Sequence, residues 1–364
     1  MEKISTHQFM TLGAAVLMGG TFLLLASGVT EASGRDGWMT VLPGFTLAIP
    51  YGLVVLSLLV QYPHKNLLQI SEILLGKWLG KSIGLIYILI TGYYGGLVLA
   101  VLGDIYERSI MPLTPLWLFY LGGLLLVLYL VGSGIEVFAR FSEAVFPVIV
   151  IGLVLNVLLA IPRMEQGELL PILADGIKPL FFGVLKVMPF AMEYILFLAG
   201  LATFLPTGKN ELGQLRTGLW RAAFMVGILD MVVVIIQILV FGPVETIRLA
   251  NGILELGKLV EISRTVSGIE SLFMGVWLGA LVIKISAFFF MVTWGMESVF
   301  NLKGLKWNYL VAAVFMGIAL GFTRGPYMLR ELAFVEDYLM FPVALIWIPI
   351  LWGVSCWKKG TGVQ

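Results

Sequence analysis

The stretch LFMGVWLGALVIKISAFFFMVTW, residues 272–294, is apolar along its length and contains a single charged residue, Lys284. At a rise of about 1.5 Å per residue it is long enough to cross the hydrocarbon core of a bilayer, which is about 30 Å thick. A lysine near the centre of a spanning helix costs roughly 3 kcal/mol on insertion scales, so it normally faces a cavity, a partner or a transport path. The stretch therefore predicts a membrane-spanning helix in which Lys284 has a counter-ion or a function.

The rest of the chain repeats this apolar pattern. Of its 364 residues, 59% are hydrophobic and only 12% are charged, which is about half the charged fraction of an average soluble domain. Stretches long enough to span a bilayer lie at roughly 8–30, 39–61, 82–103, 113–132, 143–161, 180–205, 217–242, 271–298, 307–323 and 338–356. The sequence therefore predicts an all-α polytopic membrane protein with about ten transmembrane helices.

The polar residues argue against several classes of function. Cys356 is the only cysteine, and His7 and His64 are the only histidines, so we expect neither a metal site nor a bound cofactor. The net charge of +1 provides no basic field for nucleic acid. The sequence contains no grouping of catalytic residues in a soluble domain, and we therefore expect no enzymatic activity.

The segments between the predicted spans indicate orientation. Lysine and arginine are more frequent on the side that holds the N-terminus, which predicts that both termini are cytoplasmic. Two segments, 64–81 and 246–267, have apolar residues at helical spacing, which predicts short helices at the inner and outer surfaces respectively.

A third segment, RMEQGELLPILADGIKP at 163–179, is rich in turn-forming residues and leaves five predicted spans on each side. An odd number of spans per half gives the two halves opposite orientations, which is the geometry of an inverted repeat. We therefore expect a first five-helix repeat at 1–162, an extracytoplasmic connection at 163–179 and a second five-helix repeat at 180–364.

Helix-breaking residues occur at corresponding places in the two halves. Gly19 and Gly20 lie near the centre of the first span, and Pro189 lies four residues before Glu193 in the sixth. Paired interruptions indicate a substrate site, because unwound backbone offers free N–H and C=O groups at mid-membrane. Glycine and proline are also common in ordinary membrane helices, so the pattern alone does not distinguish a substrate site from ordinary helix packing.

Three ionisable residues lie near the midpoints of spans six, seven and eight: Glu193, Asp230 and Lys284. Such groups rarely face lipid. Glu193 and Lys284 form either a structural ion pair or part of a functional site, and we expect Asp230 to make a local hydrogen bond. Lys186 lies nearer the surface, where its long side chain can extend to the headgroups.

The third span contains TGYYGGLVL, in which Gly92 and Gly96 have the spacing that allows two helices to approach closely. Tyr93 and Leu97 are one turn apart beside these glycines. They either pack in the core or line a cavity next to the close contact.

Three longer motifs carry a family resemblance. DGW at 36–38, LLPILADGIKP at 169–179 and FAMEYILFL at 190–198 resemble the B subunits of GerA-type spore germinant receptors, which belong to the amino acid, polyamine and organocation transporter superfamily. The resemblance runs through the whole chain. It implies a LeuT-like fold, a five-plus-five inverted repeat in which broken helices 1 and 6 surround a small-molecule site.

The resemblance also implies which residues bind the ligand. Carried over by position, they are Gly19, Gly20, Thr21, Tyr93, Leu97, Phe190, Ala191 and Glu193. Lys284 stands where sodium-coupled relatives hold a cation between helices one and eight. It is therefore expected to replace that ion, with Glu193 as the other residue that couples ligand binding to charge.

The function implied is that of a nutrient-sensing subunit, which binds a small zwitterion such as an amino acid and signals germination from the spore inner membrane. The implied partners are A-type subunits and C-type lipoprotein subunits of the receptor, together with the lipid bilayer. One alternative is a proton-coupled or sodium-independent amino acid transporter of the plasma membrane. Another is a scaffold whose pocket is vestigial.

Replacing Lys284 by methionine tests the role of its charge, because the substitution keeps the length of the side chain and removes the ammonium. If Lys284 replaces a bound cation, ligand binding to the unmodified protein should not depend on sodium, and Lys284→Met should weaken it. Binding to the purified protein in sodium and in potassium buffers measures both effects. A sodium requirement, or unchanged binding in the variant, would leave Lys284 as one half of a structural ion pair.

Overall fold

The computed structural model describes residues 3–109, 111–205, 209–249, 251–259, 269–302, 304–322 and 326–360. These residues are helical except for short connections. The α-helices are α1 Thr6–Ser33, α2 Trp38–Gln61, α3 Leu67–Leu75, α4 Lys77–Ser109, α5 Leu116–Gly132, α6 Ile135–Ala160, α7 Lys178–Leu201, α8 Lys209–Arg248, α9 Gly252–Leu259, α10 Ile269–Phe300, α11 Leu305–Gly321, α12 Pro326–Phe334 and α13 Phe341–Gly360. A π-helical segment, Val335–Met340, joins α12 to α13.

Eight stretches among the described residues are long and apolar enough to cross a bilayer, and α12, the π-helical segment and α13 together make one of them. The apolar helices α5 and α11, with 17 residues each, are shorter. Together they match the ten spans expected. Helix α3 lies within 64–81 and α9 within 246–267, so each stretch predicted to contain a short helix does contain one. Residues 250 and 260–267 of the second stretch lie outside the described residues.

Two helices on the N-terminal side begin with reciprocal caps. The hydroxyl of Ser5 accepts from the Gln8 amide at 3.1 Å, and the Gln8 side chain accepts from the Ser5 amide at 3.0 Å. Asn66 and Gln69 make the same pair of bonds at the start of α3. These bonds satisfy amides that a helix leaves unpaired in its first turn, and they determine where α1 and α3 begin.

Helix α1 runs through the middle of the bundle. It packs against α6, α7, α8 and α10 and is buried along most of its length. A helix that is apolar all round must be covered on every side, which explains why the α1 sequence shows no polar face. The interior also contains α10, which packs against α1, α4 and α7.

Neither of the predicted interruptions is present in this structure. Helix α1 continues through Gly19 and Gly20, and α7 continues through Pro189. Proline removes only the hydrogen bond to the Leu185 carbonyl, a loss that packed membrane helices tolerate. The backbone departs from helical geometry instead within α8, at Gly242 with φ 73°.

The glycine pair of α1 serves close packing. A Cβ atom on Gly19 would lie 2.8 Å from the carbonyl oxygen of Ala280 in α10. Only glycine allows the two helices to approach this closely.

The two ends of the bundle are held by different contacts. Near the N-terminus, the Ile4 amide donates to the Phe204 carbonyl at 3.1 Å. At the opposite end, Asp36 accepts from the Leu173 amide at 3.0 Å, which fastens the 163–179 connection to the end of α1. The division into repeats at 1–162 and 180–364 stays a prediction.

Helix α4 approaches its neighbours through adjacent glycines. A Cβ on Gly95 would lie 2.9 Å from the Phe288 Cβ, and one on Gly96 would lie 2.7 Å from the Ile318 Cβ. At Gly92 the nearest atom, in Val292, would be 3.5 Å away, an ordinary contact. The close approach expected at Gly92 and Gly96 therefore occurs at Gly96 and its neighbour Gly95.

Alanine at these glycines should separate close packing from helix propensity. Gly95→Ala forces a methyl group against Phe288 and should cost about 1–3 kcal/mol of folding free energy by overpacking. Gly92→Ala is the matched control, because its methyl group has room and alanine favours the helix. Unfolding of the purified variants in detergent measures the stability of each, and equal stability of the two variants would contradict the close packing of Gly95 against α10.

Candidate functional site

The centre of the bundle holds a buried ion pair. The Lys284 Nζ atom in α10 lies 2.6 Å from the Glu193 Oε2 atom in α7, and the two side chains are 0% and 1% exposed. An ammonium and a carboxylate removed from water stabilise each other only at such short range. The two residues therefore form an ion pair, and the functional role of that pair stays a prediction.

Lys284 also contacts the central helix α1. A Cβ on Gly20 would overlap the Lys284 ammonium, so glycine at this position creates the space that the lysine occupies. The same ammonium lies 5.3 Å from the centre of the Tyr94 ring and 5.9 Å from that of Phe288, within cation–π range. Lys284 thus joins α10 to α1, α4 and α7, and its role as a replacement for a bound cation stays a prediction.

A second carboxylate completes the cluster, and the sequence reasoning missed it. Glu336, in the π-helical segment, is 1% exposed and accepts a hydrogen bond from the Tyr94 hydroxyl at 3.1 Å. Tyr94 lies close to Glu193 as well. We call Glu193, Lys284, Tyr94 and Glu336 the charged cluster.

The apolar pattern of the sequence places the tenth span at 338–356, which leaves Glu336 in a loop. In the structure the apolar helical stretch begins earlier, at Tyr327, and includes both Glu336 and Asp337. The apolar residues that surround the acids, such as Leu332 and Leu339, were the signal that could have extended the span.

Other charges within the bundle are paired locally. Thr21 donates to Asp230 at 3.0 Å, which is the local hydrogen bond expected of Asp230. Lys186 lies 2.7 Å from Asp337, with the lysine side chain 42% exposed. Lys186 therefore has a carboxylate partner within the protein, in addition to its partial access to the surface.

The structure brings together only some of the predicted ligand residues. Gly20 and Glu193 meet at Lys284, whereas the Tyr93 hydroxyl donates to Glu331 of α12 at 2.9 Å. Leu97 and Ala191 are buried in the apolar core. With Thr21 bonded to Asp230 and Gly19 against α10, the predicted set does not form one pocket in this structure.

Two cavities lie at opposite ends of the bundle, and one of them reaches the charged cluster. The distal cavity, on the side away from the N-terminus, has a volume of about 530 Å³, and its lining includes Phe190 and Glu336. The proximal cavity, on the N-terminal side, has a volume of about 740 Å³ and reaches Phe204 and Trp294.

A closed layer separates the two cavities. Phe290 packs edge-on against both Phe197 and Phe204, with ring centres 6.4 and 5.7 Å apart. Along α7 and the turn that follows it, the distance from Phe190 to Phe204 is about 20 Å at 1.5 Å per residue. The charged cluster lies within this layer. The layer is therefore closed toward both cavities in this structure.

The chain resembles known proteins of one family over nearly all of its length. The profile of the family described as Spore germination protein matches residues 3–324. Spore germination protein YndE of Bacillus subtilis (strain 168) is 29% identical over 310 residues, which cover 84% of this chain and 83% of that protein. Spore germination protein KB of the same organism is 24% identical over 373 residues, which cover 99% of this chain and 96% of that protein.

Two solved transporter structures have a similar fold. MhsT in complex with L-phenylalanine superimposes with a TM-score of 0.71 at 13% identity, covering 96% of this chain and 89% of that one. Mhp1, a nucleobase-cation-symport-1 family transporter in a closed conformation with bromovinylhydantoin bound, gives a TM-score of 0.71 at 13% identity, covering 95% and 78%. Both confirm the LeuT-like fold predicted for this chain.

These similarities confirm the resemblance to GerA-type B subunits and agree with a multi-pass, transporter-like membrane protein that is not an enzyme. The chain belongs to the spore germination protein family.

Proposed function

We propose that this protein is a nutrient-sensing subunit of a spore germinant receptor, which binds an amino acid at mid-membrane and passes the signal on through its transporter-like bundle. The observation that carries the proposal is the distal cavity, because its floor at Phe190 and Glu336 adjoins the charged cluster. A ligand in this cavity can reach the groups that hold α4, α7 and α10 together.

The lining of the distal cavity suits a small zwitterion. Cationic and acidic side chains occur in equal number, and Leu24, Phe190 and Leu329 add apolar surface. The charged residues of the lining are Glu31, Lys186, Arg248, Arg330, Glu336 and Asp337. A pocket with apolar walls and a few charges of both signs can bind the ends of an amino acid and select its side chain.

The geometry also suggests how occupancy is transmitted. Phe190 and Glu193 are three residues apart and therefore lie on the same face of α7. A ligand that displaces Phe190 rotates or shifts the Glu193 carboxylate, and the ion pair then acts on Lys284 in α10. Because a buried pair has few alternative arrangements, a small shift at the cavity favours a different packing of the whole layer.

The proposed setting follows from the family. The protein would lie in the spore inner membrane with both termini in the cytoplasm, so that the distal cavity faces outward. Its partners would be A-type subunits and C-type lipoprotein subunits of the receptor. The names of the Bacillus subtilis relatives, which are spore germination proteins, support this setting.

A second candidate function is sodium-independent or proton-coupled amino acid transport. It is favoured by the fold shared with MhsT and Mhp1 and by the two cavities at opposite ends of one closed layer. Accumulation of labelled amino acid by the protein reconstituted in liposomes distinguishes it from sensing, which needs binding without net passage. A scaffold with a vestigial pocket would neither accumulate nor bind the amino acid.

The test of the proposed function is stabilisation of the purified protein by an amino acid. A ligand present at about 100 times its Kd should raise the unfolding temperature by several degrees. Gly20→Leu should abolish this effect, because the added side chain displaces Lys284 from α1. Gly122→Leu is the control, since a Cβ at Gly122 meets no atom within 4 Å.

Two results would contradict the proposal. The first is that none of the common amino acids stabilises the wild-type protein. The second is that Gly20→Leu folds and is stabilised as well as the Gly122→Leu control, which would remove the charged cluster from the response.

A further inference from the structure

Glu336 is a buried carboxylate that forms no contact ion pair with a described residue, although Lys284 lies near enough to attract it. Its Oε2 atom accepts from Tyr94, whereas its Oε1 atom has no hydrogen-bond partner among the described residues. A buried, unsatisfied oxygen is costly, and more so on a charged group. Glu193 and Asp230 also have one open oxygen each, but Glu336 lines the distal cavity, so its Oε1 can accept a hydrogen bond from a molecule that enters there.

The charges nearby do not supply that partner. Lys284 is the one cation of the charged cluster, and it pairs with Glu193 at 2.6 Å. Lys186, a cation of the distal cavity lining, pairs with Asp337. With all its groups ionised, the cluster therefore contains two carboxylates and one ammonium, a surplus of one negative charge.

The surplus lies where a small molecule can reach it. Glu336 belongs to the lining of the distal cavity, whose volume is about 530 Å³, although its side chain is only 1% exposed. Arg330, on the same lining, is exposed and makes no ion pair with another described residue. The cavity thus has an unpaired negative group at its floor and an unpaired positive group nearer its surface.

We propose that Glu336 binds the protonated amino group of the ligand. The ammonium enters through the distal cavity and donates to Oε1, while Tyr94 holds the other oxygen in place. The ligand ammonium and Lys284 then balance the charges of Glu193 and Glu336. The carboxylate of the ligand is oriented toward Arg330. This inference rests on the proposed function and specifies its ligand class: compounds with a primary or secondary ammonium, as opposed to sugars, polyols or simple carboxylic acids.

The test compares ligands that keep only one end of an amino acid. The probes are the common L-amino acids and, for each that stabilises the purified full-length protein, the amine without its carboxylate and the acid without its amino group. Beside L-phenylalanine, for example, these are phenethylamine and hydrocinnamate. We expect the amine to retain measurable stabilisation and the acid to lose it.

The matched variants are Glu336→Gln and Glu331→Gln. Both acids accept a hydrogen bond from a tyrosine of α4, Tyr94 and Tyr93 respectively, but only Glu336 lines the distal cavity. Loss of a charge-assisted hydrogen bond should weaken amino acid binding at least about tenfold in Glu336→Gln. Glu331→Gln should bind as the wild type does.

The outcomes separate this inference from the proposed function. If no amino acid stabilises the wild type, both this inference and the proposed function are contradicted. If amino acids stabilise the wild type and Glu336→Gln with equal affinity, or if the acids bind and the amines do not, Glu336 is not the ammonium site and the proposed function stands. Should Glu336→Gln fail to fold, the wild-type preference between amine and acid still decides, and Glu336→Asp, which keeps the charge, should retain that preference.

Discussion

The ion pair between Glu193 and Lys284 is the constraint on which the interior of this bundle depends. An unpaired charge in the core of a membrane protein is costly, and removing one partner of a buried pair typically costs about 3–5 kcal/mol. The two residues therefore have to face each other, which determines how α7 and α10 are rotated about their axes. The neighbouring helices then have to accommodate a lysine side chain in the middle of the bundle.

Several residues are explained by that requirement. Gly20 leaves the volume that the ammonium fills, and Gly19 lets α10 approach α1 closely enough for Lys284 to reach it. Tyr94 and Phe288 present ring faces to the ammonium, which weakly attract it without adding charge. The closed layer between the two cavities is thus built around the pair, and under the proposed function a ligand at its distal edge would act on the interaction that holds the layer together.

The sequence was sufficient for the fold and for part of the site. The spans follow from apolar length, and the Glu193–Lys284 pair follows because opposite charges at one depth in a membrane satisfy each other. The interruptions predicted at Gly19–Gly20 and Pro189 are absent, because glycine serves close packing as readily as unwinding and a packed helix tolerates proline. Glu336 was missed because an acid at the edge of an apolar stretch resembles a loop residue until its partner, Tyr94 of a distant helix, is known.

A double-mutant cycle on the central pair tests the account most directly. The measurement is the free energy of unfolding in mixed micelles for the wild type, Lys284→Met, Glu193→Gln and the double variant. If the pair organises the interior, each single variant loses about 3–5 kcal/mol, and the double variant is more stable than the sum of the two losses predicts, by about 2 kcal/mol or more. Additive losses, with no coupling between the two positions, would contradict the central role of the ion pair.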